Sequence, residues 1–443
     1  MSAAGALAAY ADAVVRSGCT PGAAVAATSA TGTLFAVAAG HAEPAAALPM
    51  RTDTLGLIGS ISKSATALLV LRQAELGAFD LSDPVDRHLP WFHVHNPHGA
   101  ISIRHLLMHT AGLPMDVSTA PPSAGLVALL AEVEPAWPPG LRHHYSNVGY
   151  AALGLMLEAV VGEPFPIQLQ RGVLDRLGMS ASLPVVGDGA RGRLAVGHVP
   201  RDPERGWAPD NPLVTAPWVP YEASDGSICS TVLDMCAYAR MILDRGAPLV
   251  SPATFAVIVS DTVDDGEGGR YGYGLATQRV DGAELVGHSG GMVGHHAQLF
   301  CDPAAGIAAV ALVNGDRGQR QLAAYALALA RADAGGGPPP PAPEPPEPAP
   351  PGPPGCGDHA LAGVYRAHDP WLPVVRVVAA GESLTVHAAD APAARLAPAA
   401  GGDWMLVVEG LRLPERVRFD LPVDGRMQRL WWNGCGPYYR AAV

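Results

Sequence analysis

One cationic residue of the chain differs in type from all the others. Of its 29 Lys and Arg residues, only Lys63 is a lysine. Arginine keeps its proton in proteins, whereas a desolvated lysine beside another cation can lose its proton and act as a base. Ser60 precedes Lys63 by three residues, a spacing that brings two side chains together on one face of a helix. The pair therefore indicates a serine nucleophile with a lysine base.

A helix has to begin at Ser60 for this contact to form. An apolar, strand-like stretch at 55–58 leads into Gly59, and residues of high helix propensity follow. The amino end of such a helix would direct the N–H of Ser60 at a developing oxyanion. The alternative is that Ser60 only caps the helix and that Lys63 is an ordinary surface residue.

Two later segments carry side chains that suit acyl transfer. Tyr145 and Asn147 follow a Pro-Gly turn two residues apart, so an extended backbone directs both side chains the same way. The other segment begins at His288 and ends in two glycines that let a substrate backbone approach a sheet edge, with Gly291 as a second oxyanion donor. Taken alone, Tyr145 could equally be a packing aromatic, and His288 a satisfied buried histidine.

In their order along the chain, these segments resemble the three motifs of class C β-lactamases and related penicillin-binding proteins. The resemblance covers roughly residues 5–333 and includes further stretches at 81–84, 105–113, 271–274 and 312–314. The three motifs are Ser60-Ile61-Ser62-Lys63, Tyr145-Ser146-Asn147 and His288-Ser289-Gly290.

The resemblance implies a role for each motif residue. Ser60 would be the acylated nucleophile, Lys63 its base and Tyr145 the residue that protonates the leaving group. His288 would be a further catalytic residue. The backbones of Ser60 and Gly291 would form the oxyanion hole. The substrate would be contacted by Asn147, Ser289 and Gly290.

Position 288 departs from the β-lactamase pattern, which usually has lysine there. With His288 in its place, the permanent cation for the carboxylate of an antibiotic is missing, so strong β-lactamase activity is not expected. Histidine at this point resembles the esterase, D-aminopeptidase and penicillin-binding-protein-type thioesterase branches.

Composition narrows the function classes. The net charge is -12 without a basic run, which argues against nucleic-acid and anionic-membrane partners. The six cysteines have no C-x-x-C spacing, as is typical of reduced thiols, and the start of the chain has no signal peptide pattern, so a cytoplasmic location is expected. A histidine cluster without supporting carboxylates does not indicate a metal, and no cofactor is expected; the cluster is His88, His93, His95 and His98.

Residues outside the motifs predict an α+β fold. Apolar runs predict strands at 23–28, 33–38, 284–286, 295–301 and 307–314 with a helix at 319–332, so both ends of the first domain would share one sheet. The expected organisation is a β-lactamase-like domain at 1–334, with an antiparallel sheet flanked by helices plus a helical subdomain, then a Pro/Gly-rich linker at 335–357 and a small lipocalin-like antiparallel β-barrel at 358–443. The barrel strands are predicted at 363–366, 374–378, 383–387, 404–408, 416–420, 428–432 and 438–442.

This layout resembles that of penicillin-binding-protein-type thioesterases, which release and cyclise nonribosomal peptides. The expected partner is therefore a peptidyl thioester on a carrier protein, or a small-molecule mimic, and the chain is expected to be a monomer or weak oligomer. The segment 431–440 could reach over the pocket with Arg440 as a polar clamp, or its aromatics could simply fill the barrel. The alternatives are a cytosolic esterase or D-aminopeptidase with water as acceptor, and a non-catalytic binding protein on the same fold.

Overall fold

The computed structural model describes residues 2–116, 123–266, 268–280, 282–348, 355–381, 383–388, 393–433 and 435–441. The larger domain contains thirteen strands within these residues. They are β1 (Gly22–Ser29), β2 (Gly32–Glu43), β3 (Leu48–Pro49), β4 (Gly56–Leu57), β5 (His198–Pro200), β6 (Leu213–Thr215), β7 (Cys229–Ser230), β8 (Val263–Asp264), β9 (Arg270–Tyr271), β10 (Ala276–Val280), β11 (Ala283–Met292), β12 (His295–Asp302) and β13 (Ile307–Val313).

Helices accompany these strands along the whole domain. They are α1 (Ala3–Ser17), α2 (Ser62–Glu75), α3 (Val85–His88), α4 (Ile103–Leu107), α5 (Ser123–Ala128), α6 (Asn147–Val161), α7 (Phe165–Leu169), α8 (Val232–Leu243), α9 (Pro252–Ser260) and α10 (Gln319–Ala334). Short 3-10 turns occupy Gly59–Ile61, Leu129–Glu132 and Ala400–Gly402, and a π-type turn occupies Gln170–Leu174.

A single antiparallel sheet organises the larger domain. Its strand order in the described residues is β3-β2-β1-β13-β12-β11-β10-β9-β8, and β1 pairs with β13 from Ala23↔Val313 to Ser29↔Ile307. The prediction that both ends of the domain share one sheet is therefore confirmed. The predicted strands lie within or close to β1, β2, β11, β12 and β13, whereas β10 was missed.

Both faces of the central strands are buried, which explains their continuous apolar runs. Alternate residues of β1 and β13 pack against α1 and α10 on one face, and the others face the larger core that contains α2, α6 and α8. Helix α1 contributes Leu7, Tyr10 and Val14, all buried, to the first of these faces.

The C-terminal region forms a closed eight-stranded antiparallel barrel. The expectation of a separate antiparallel barrel is confirmed, although the prediction had seven strands and missed the fourth. Its strands are β14 (Gly363–Arg366), β15 (Val374–Ala380), β16 (Ser383–Ala388), β17 (Ala394–Pro398), β18 (Trp404–Val408), β19 (Leu411–Val423), β20 (Arg426–Trp432) and β21 (Cys435–Arg440), and β14 closes the barrel on β21.

The described part of the proline-rich segment lies along the outer helices. The hydroxyl of Tyr10 donates to the main-chain oxygen of Glu344, and that of Tyr325 donates to Pro340, each at 3.2 Å. The rings of Tyr10 and Tyr325 are themselves in edge contact, 5.1 Å between centroids. The segment is thus attached to α1 and α10 on its way to the barrel.

Among the described residues, no single helix has the length and apolarity that crossing a membrane requires. One bent pair, Asn147–Val161 with Phe165–Leu174, meets that requirement on length and composition alone.

Candidate active site

Ser60 and Lys63 lie in contact at the start of α2. The side-chain nitrogen Nζ of Lys63 is 3.0 Å from Oγ of Ser60. Lys63 is fully buried, while Ser60 is half-buried and so accessible from outside. A helical turn over Gly59–Ile61 runs directly into α2, which places the two side chains one turn apart, as the sequence spacing requires.

Asp225 completes the surroundings of Lys63. Its main-chain oxygen accepts a hydrogen bond from Nζ at 2.8 Å, and its carboxylate lies 3.8 Å from the same nitrogen. Tyr221 donates its hydroxyl to both carboxylate oxygens of Asp225, at 2.8 and 3.0 Å. The charged neighbour of Lys63 is therefore a carboxylate rather than the second cation that the sequence argument invoked.

Two glycines allow the backbone of the nucleophile turn to touch β11. Gly59 has φ +51°, and a Cβ on it would lie 2.8 Å from the backbone nitrogen of Gly291. A Cβ on Gly290 would lie 1.8 Å from the main-chain oxygen of Ile58 and 3.3 Å from the nitrogen of Ser60. Side chains at either position would separate the two segments. The backbones of Ser60 and Gly291, the residues anticipated for an oxyanion hole, are thus neighbours.

The exposed edge of β11 lies beside the nucleophile. Strand β10 pairs with β11 only between Ala283 and Gly287, so among the described residues no strand covers that edge further along. Ser289 and Gly291 are exposed there, and His288 and Gly290 are buried. An uncovered strand edge is suited to bind an extended peptide through its main chain.

Tyr145 reaches the same place from the loop before α6. Its ring centroid is 4.9 Å from Nζ of Lys63. Its hydroxyl is buried and has no hydrogen-bond partner among the described residues. The ring packs on His109, 4.2 Å between centroids. Burial lowers the pKa of His109 well below its ordinary value, so that ring is a neutral support for the phenol.

Asn147 is the first residue of α6, so the extended backbone expected between Tyr145 and Asn147 ends at Ser146. Its Nδ2 donates to a carboxylate oxygen of Asp116 at 3.0 Å, whereas its Oδ1 is buried without a partner among the described residues. Burial raises the pKa of Asp116 to about 7. An unpartnered acceptor thus lies at the residue to which the resemblance assigns a contact with the substrate amide.

His288 is close to these residues but turned into the sheet. Its Nδ1 donates to the main-chain oxygen of Ser289 at 2.5 Å, so its Nε2 accepts from the hydroxyl of Tyr271 at 3.0 Å. Burial lowers the pKa of His288 to about 4, partly offset by the bond to Ser289, and the ring is neutral at pH 7. The rings of His288 and Tyr145 are 6.2 Å apart between centroids, and the hydrogen bonds of the imidazole go to Tyr271 and Ser289, so His288 contributes to the wall of the site.

The structure places Arg440 elsewhere, and its interpretation as a clamp over the pocket is wrong. Its guanidinium donates to main-chain oxygens of Ala360, Ala362 and Met427 within the barrel and lies over the ring of Tyr365. Because its donors are engaged by the barrel itself, they do not point to a substrate.

Sequence reasoning missed several residues that surround the site. Asp225 contributes a main-chain oxygen, which no side-chain pattern indicates. The barrel residue Glu415 is buried against His144, which precedes Tyr145, and against Met115, whose main-chain oxygen accepts from Asn147. Only domain docking creates these contacts of Glu415. The signal that could have identified His109 is its place in the stretch 105–113, already recognised as similar to the family.

A cleft of about 800 Å³ separates the two domains beside the site. It reaches β11 at Gly291 and Met292 and is also lined by Trp218 of the larger domain and Trp371 of the barrel. Ser60 is not part of this lining, whereas Gly291, whose backbone borders Gly59 next to the nucleophile, is.

Comparisons with known proteins agree with this geometry. A sequence profile described as Beta-lactamase matches residues 7–332. Penicillin-binding protein 4 of Amycolatopsis lactamdurans is 30% identical over an alignment of 315 residues that covers 67% of this chain and 81% of that protein.

Two solved structures illustrate the likeness of fold. SurE superposes with a TM-score of 0.62 at 23% identity and covers 99% of both chains. The D-amino acid amidase from Ochrobactrum anthropi SV3, in complex with L-phenylalanine amide, has a TM-score of 0.64 at 23% identity over 74% of this chain and 99% of its own. The SurE match therefore extends over the barrel as well as the larger domain.

Proposed function

Since the chain belongs to the beta-lactamase family, we propose that it is a serine acyltransferase that takes a peptidyl group from a carrier-protein thioester and closes it head to tail. The observation that carries the acyl-transfer part is the 3.0 Å contact between Nζ of Lys63 and Oγ of Ser60. A buried amine in contact with a half-exposed hydroxyl is the arrangement of a base and its nucleophile.

In the first step, Oγ of Ser60 attacks the thioester carbonyl and gives its proton to Lys63. The carbonyl oxygen develops negative charge against the backbones of Ser60 and Gly291. The carbon–sulfur bond then breaks, and the phenol of Tyr145 protonates the departing thiolate, with Lys63 restoring the phenol proton. The products are a free thiol and a peptidyl ester on Ser60.

In the second step, the amino terminus of the same peptide attacks the ester carbonyl. Tyr145 accepts a proton from the amine as it passes its own proton to Lys63. The bond to Oγ then breaks, Lys63 gives that proton to Oγ of Ser60, and a cyclic amide is left. Tethering gives the amine an effective concentration that, in well-oriented intramolecular reactions, reaches about 10⁵ to 10⁸ M. The cleft between the domains offers the space in which a peptide chain could fold back.

The wall of the site supports an acyl donor without a free carboxylate. Burial lowers the pKa of His288 to about 4, so position 288 supplies no permanent cation. The carboxylate of Asp225 lies 3.8 Å from Nζ of Lys63 instead. A thioester carbonyl with an amine at the other end of the chain suits this charge distribution better than a carboxylate.

The configuration of the acyl residue is the next element of the proposal. A structure of SurE has been solved with D-Leu, and the amidase of similar fold is a D-amino acid amidase. These names support a D-configured residue at the acyl carbon in this chain as well. They equally support the second candidate, a hydrolase that releases D-amino acids from amides or esters with water as acceptor.

The test uses peptidyl N-acetylcysteamine thioesters that end in either a D or an L residue. We expect the purified full chain to convert the D-terminal thioester mainly to the cyclic product, identified by mass spectrometry, and Ser60→Ala to produce neither product. Linear acid alone would favour the hydrolase. Absence of any turnover together with absence of a covalent adduct would favour a binding protein on the same fold.

A further inference from the structure

The barrel inserts a buried acidic side chain into the larger domain. Glu415, on β19, is only 5% exposed. Its Oε1 accepts two hydrogen bonds of 2.9 Å, one from the backbone nitrogen of Met115 and one from Nε2 of His144. Both donors belong to the larger domain, so one carboxylate connects two of its loops.

Asn433 makes a second connection beside the first. Its Nδ2 donates to the main-chain oxygen of Asp116 at 2.7 Å. Its Oδ1 accepts from the backbone nitrogen of Arg416, the residue after Glu415, at 2.8 Å. Glu415 and Asn433 therefore form one structural unit on the barrel, which we call the barrel clamp.

The barrel clamp holds the loops that present Tyr145 and Asn147. His144 immediately precedes Tyr145 in the chain. The main-chain oxygen of Met115 accepts from the nitrogen of Asn147 at 2.8 Å. The carboxylate of Asp116 accepts from Nδ2 of Asn147 at 3.0 Å. The residues that the barrel clamp contacts are therefore either next to a proposed site residue in the chain, as His144 is to Tyr145, or hydrogen-bonded to one, as Met115 and Asp116 are to Asn147.

Fastening two domains together does not by itself require a buried carboxylate. Removing a charged group from water is unfavourable, and an apolar contact of similar size is often as stabilising. Burial alone would raise the pKa of Glu415, but the hydrogen bonds from His144 and the backbone of Met115 hold it below its usual value. What the carboxylate provides beyond an apolar contact is the orientation of two donors, His144 and the backbone N–H of Met115.

We propose that Glu415 is a positioning residue through which the docked barrel holds Tyr145 in place to protonate the leaving group. The inference rests on the proposed acyl transfer at Ser60. Glu415 acts through His144 and Met115, and it does not touch the reacting atoms.

The experiment compares acylation of Ser60 by two thioesters of the same acyl group, one with an alkyl thiol and one with an aryl thiol as leaving group. An alkyl thiolate is the more basic leaving group and gains more from protonation as it departs, whereas an aryl thiolate gains little. We expect Glu415→Ala to slow acylation by the alkyl thioester about 10- to 100-fold, below the range of about 10² to 10⁴ for outright loss of a general acid. Acylation by the aryl thioester should change less than about threefold. A purely structural defect would slow both reactions equally.

Asp420→Asn is the matched control. Asp420 lies on the same strand and forms its ion pair with Arg429 and a hydrogen bond with Trp431 inside the barrel. We expect this variant to retain the wild-type rate with both thioesters. Glu415→Gln, whose amide oxygen can still accept from Met115, should restore part of the alkyl thioester rate.

Three outcomes would overturn the inference: equal slowing of both thioesters in Glu415→Ala, wild-type rates with both, or the same alkyl-specific loss in Asp420→Asn. If Glu415→Ala fails to fold, Asn433→Gly takes its place, because glycine accepts the positive φ of +50° at that position. A fluorophosphonate probe that fails to label Ser60 in the wild type would instead count against the proposed function itself.

Discussion

The side-chain nitrogen of Lys63 lies 3.0 Å from the hydroxyl oxygen of Ser60, in a part of the protein from which the lysine side chain has no access to solvent. Nζ also donates a hydrogen bond to the main-chain oxygen of Asp225. The lysine is therefore held by two oxygens and placed to receive a proton from the serine.

Replacement of this lysine by arginine tests whether the position needs a base or only a positive charge. Lys63→Arg keeps a cation at the position but removes a group that can give up its proton. We expect acylation of Ser60 to fall about 10²- to 10⁴-fold, the usual contribution of a positioned acid or base. Stopped-flow measurement of thiol release in the first turnover tests this expectation. Acylation within threefold of the wild type would show that Lys63 is not the base.

Tyr145→Phe should separate activity from stability. The phenol has no hydrogen-bond partner among the described residues, so its removal breaks no bond in the resting protein. We expect the melting temperature to change by less than about 1 °C, which for a chain of this size is less than about 1 kcal/mol. Turnover of an alkyl thioester should fall about 10²-fold or more. A large loss of stability with little loss of turnover would assign Tyr145 to packing.

The sequence predicted the elements whose burial leaves a local pattern. Strands β1 and β13 are covered on both faces and therefore appear as unbroken apolar runs. In contrast, β10 is half-buried and contains Gln278 and Arg279, and the missed barrel strand ends in Pro398, so neither has a run of that kind.

The site was predictable where its residues are close in sequence. Ser60 and Lys63 are three residues apart, whereas the oxygen of Asp225 that contacts Lys63 is 162 residues away and belongs to the main chain. The barrel contacts depend on how two domains dock. A polar residue near the end of the chain, such as Arg440, gives no sign of whether it serves the pocket or, as found, the carbonyl groups of its own barrel.

Asp116 predicts a pH dependence of stability. Because burial raises its pKa from 3.8 to about 7, the folded protein binds a proton that the unfolded chain has already lost between these values. Its contribution to stability is therefore present below pH 4 and is lost as the pH rises toward and beyond 7. We expect Asp116→Asn to raise the melting temperature at pH 8, with the difference from the wild type shrinking toward pH 4. An equal difference at both pH values would assign the effect to something other than titration.

His288→Lys tests the origin of the inferred substrate preference. A lysine here would supply the permanent cation that the neutral histidine lacks. We expect labelling by a fluorescent penicillin, which carries a carboxylate, to accelerate about tenfold, equivalent to about 1.4 kcal/mol of transition-state stabilisation. Acylation by an uncharged thioester should not increase. If both reagents react faster by the same factor, or if neither reacts faster, the charge at position 288 does not determine the substrate preference.

The most direct measurement is the mass of the full chain after reaction with a fluorophosphonate, followed by mapping of the modified peptide. We predict one adduct per chain, located on Ser60, that is absent from Ser60→Ala and strongly slowed in Lys63→Arg. An adduct on a different residue, or an unmodified chain after prolonged reaction, would contradict the assignment of Ser60 as the nucleophile.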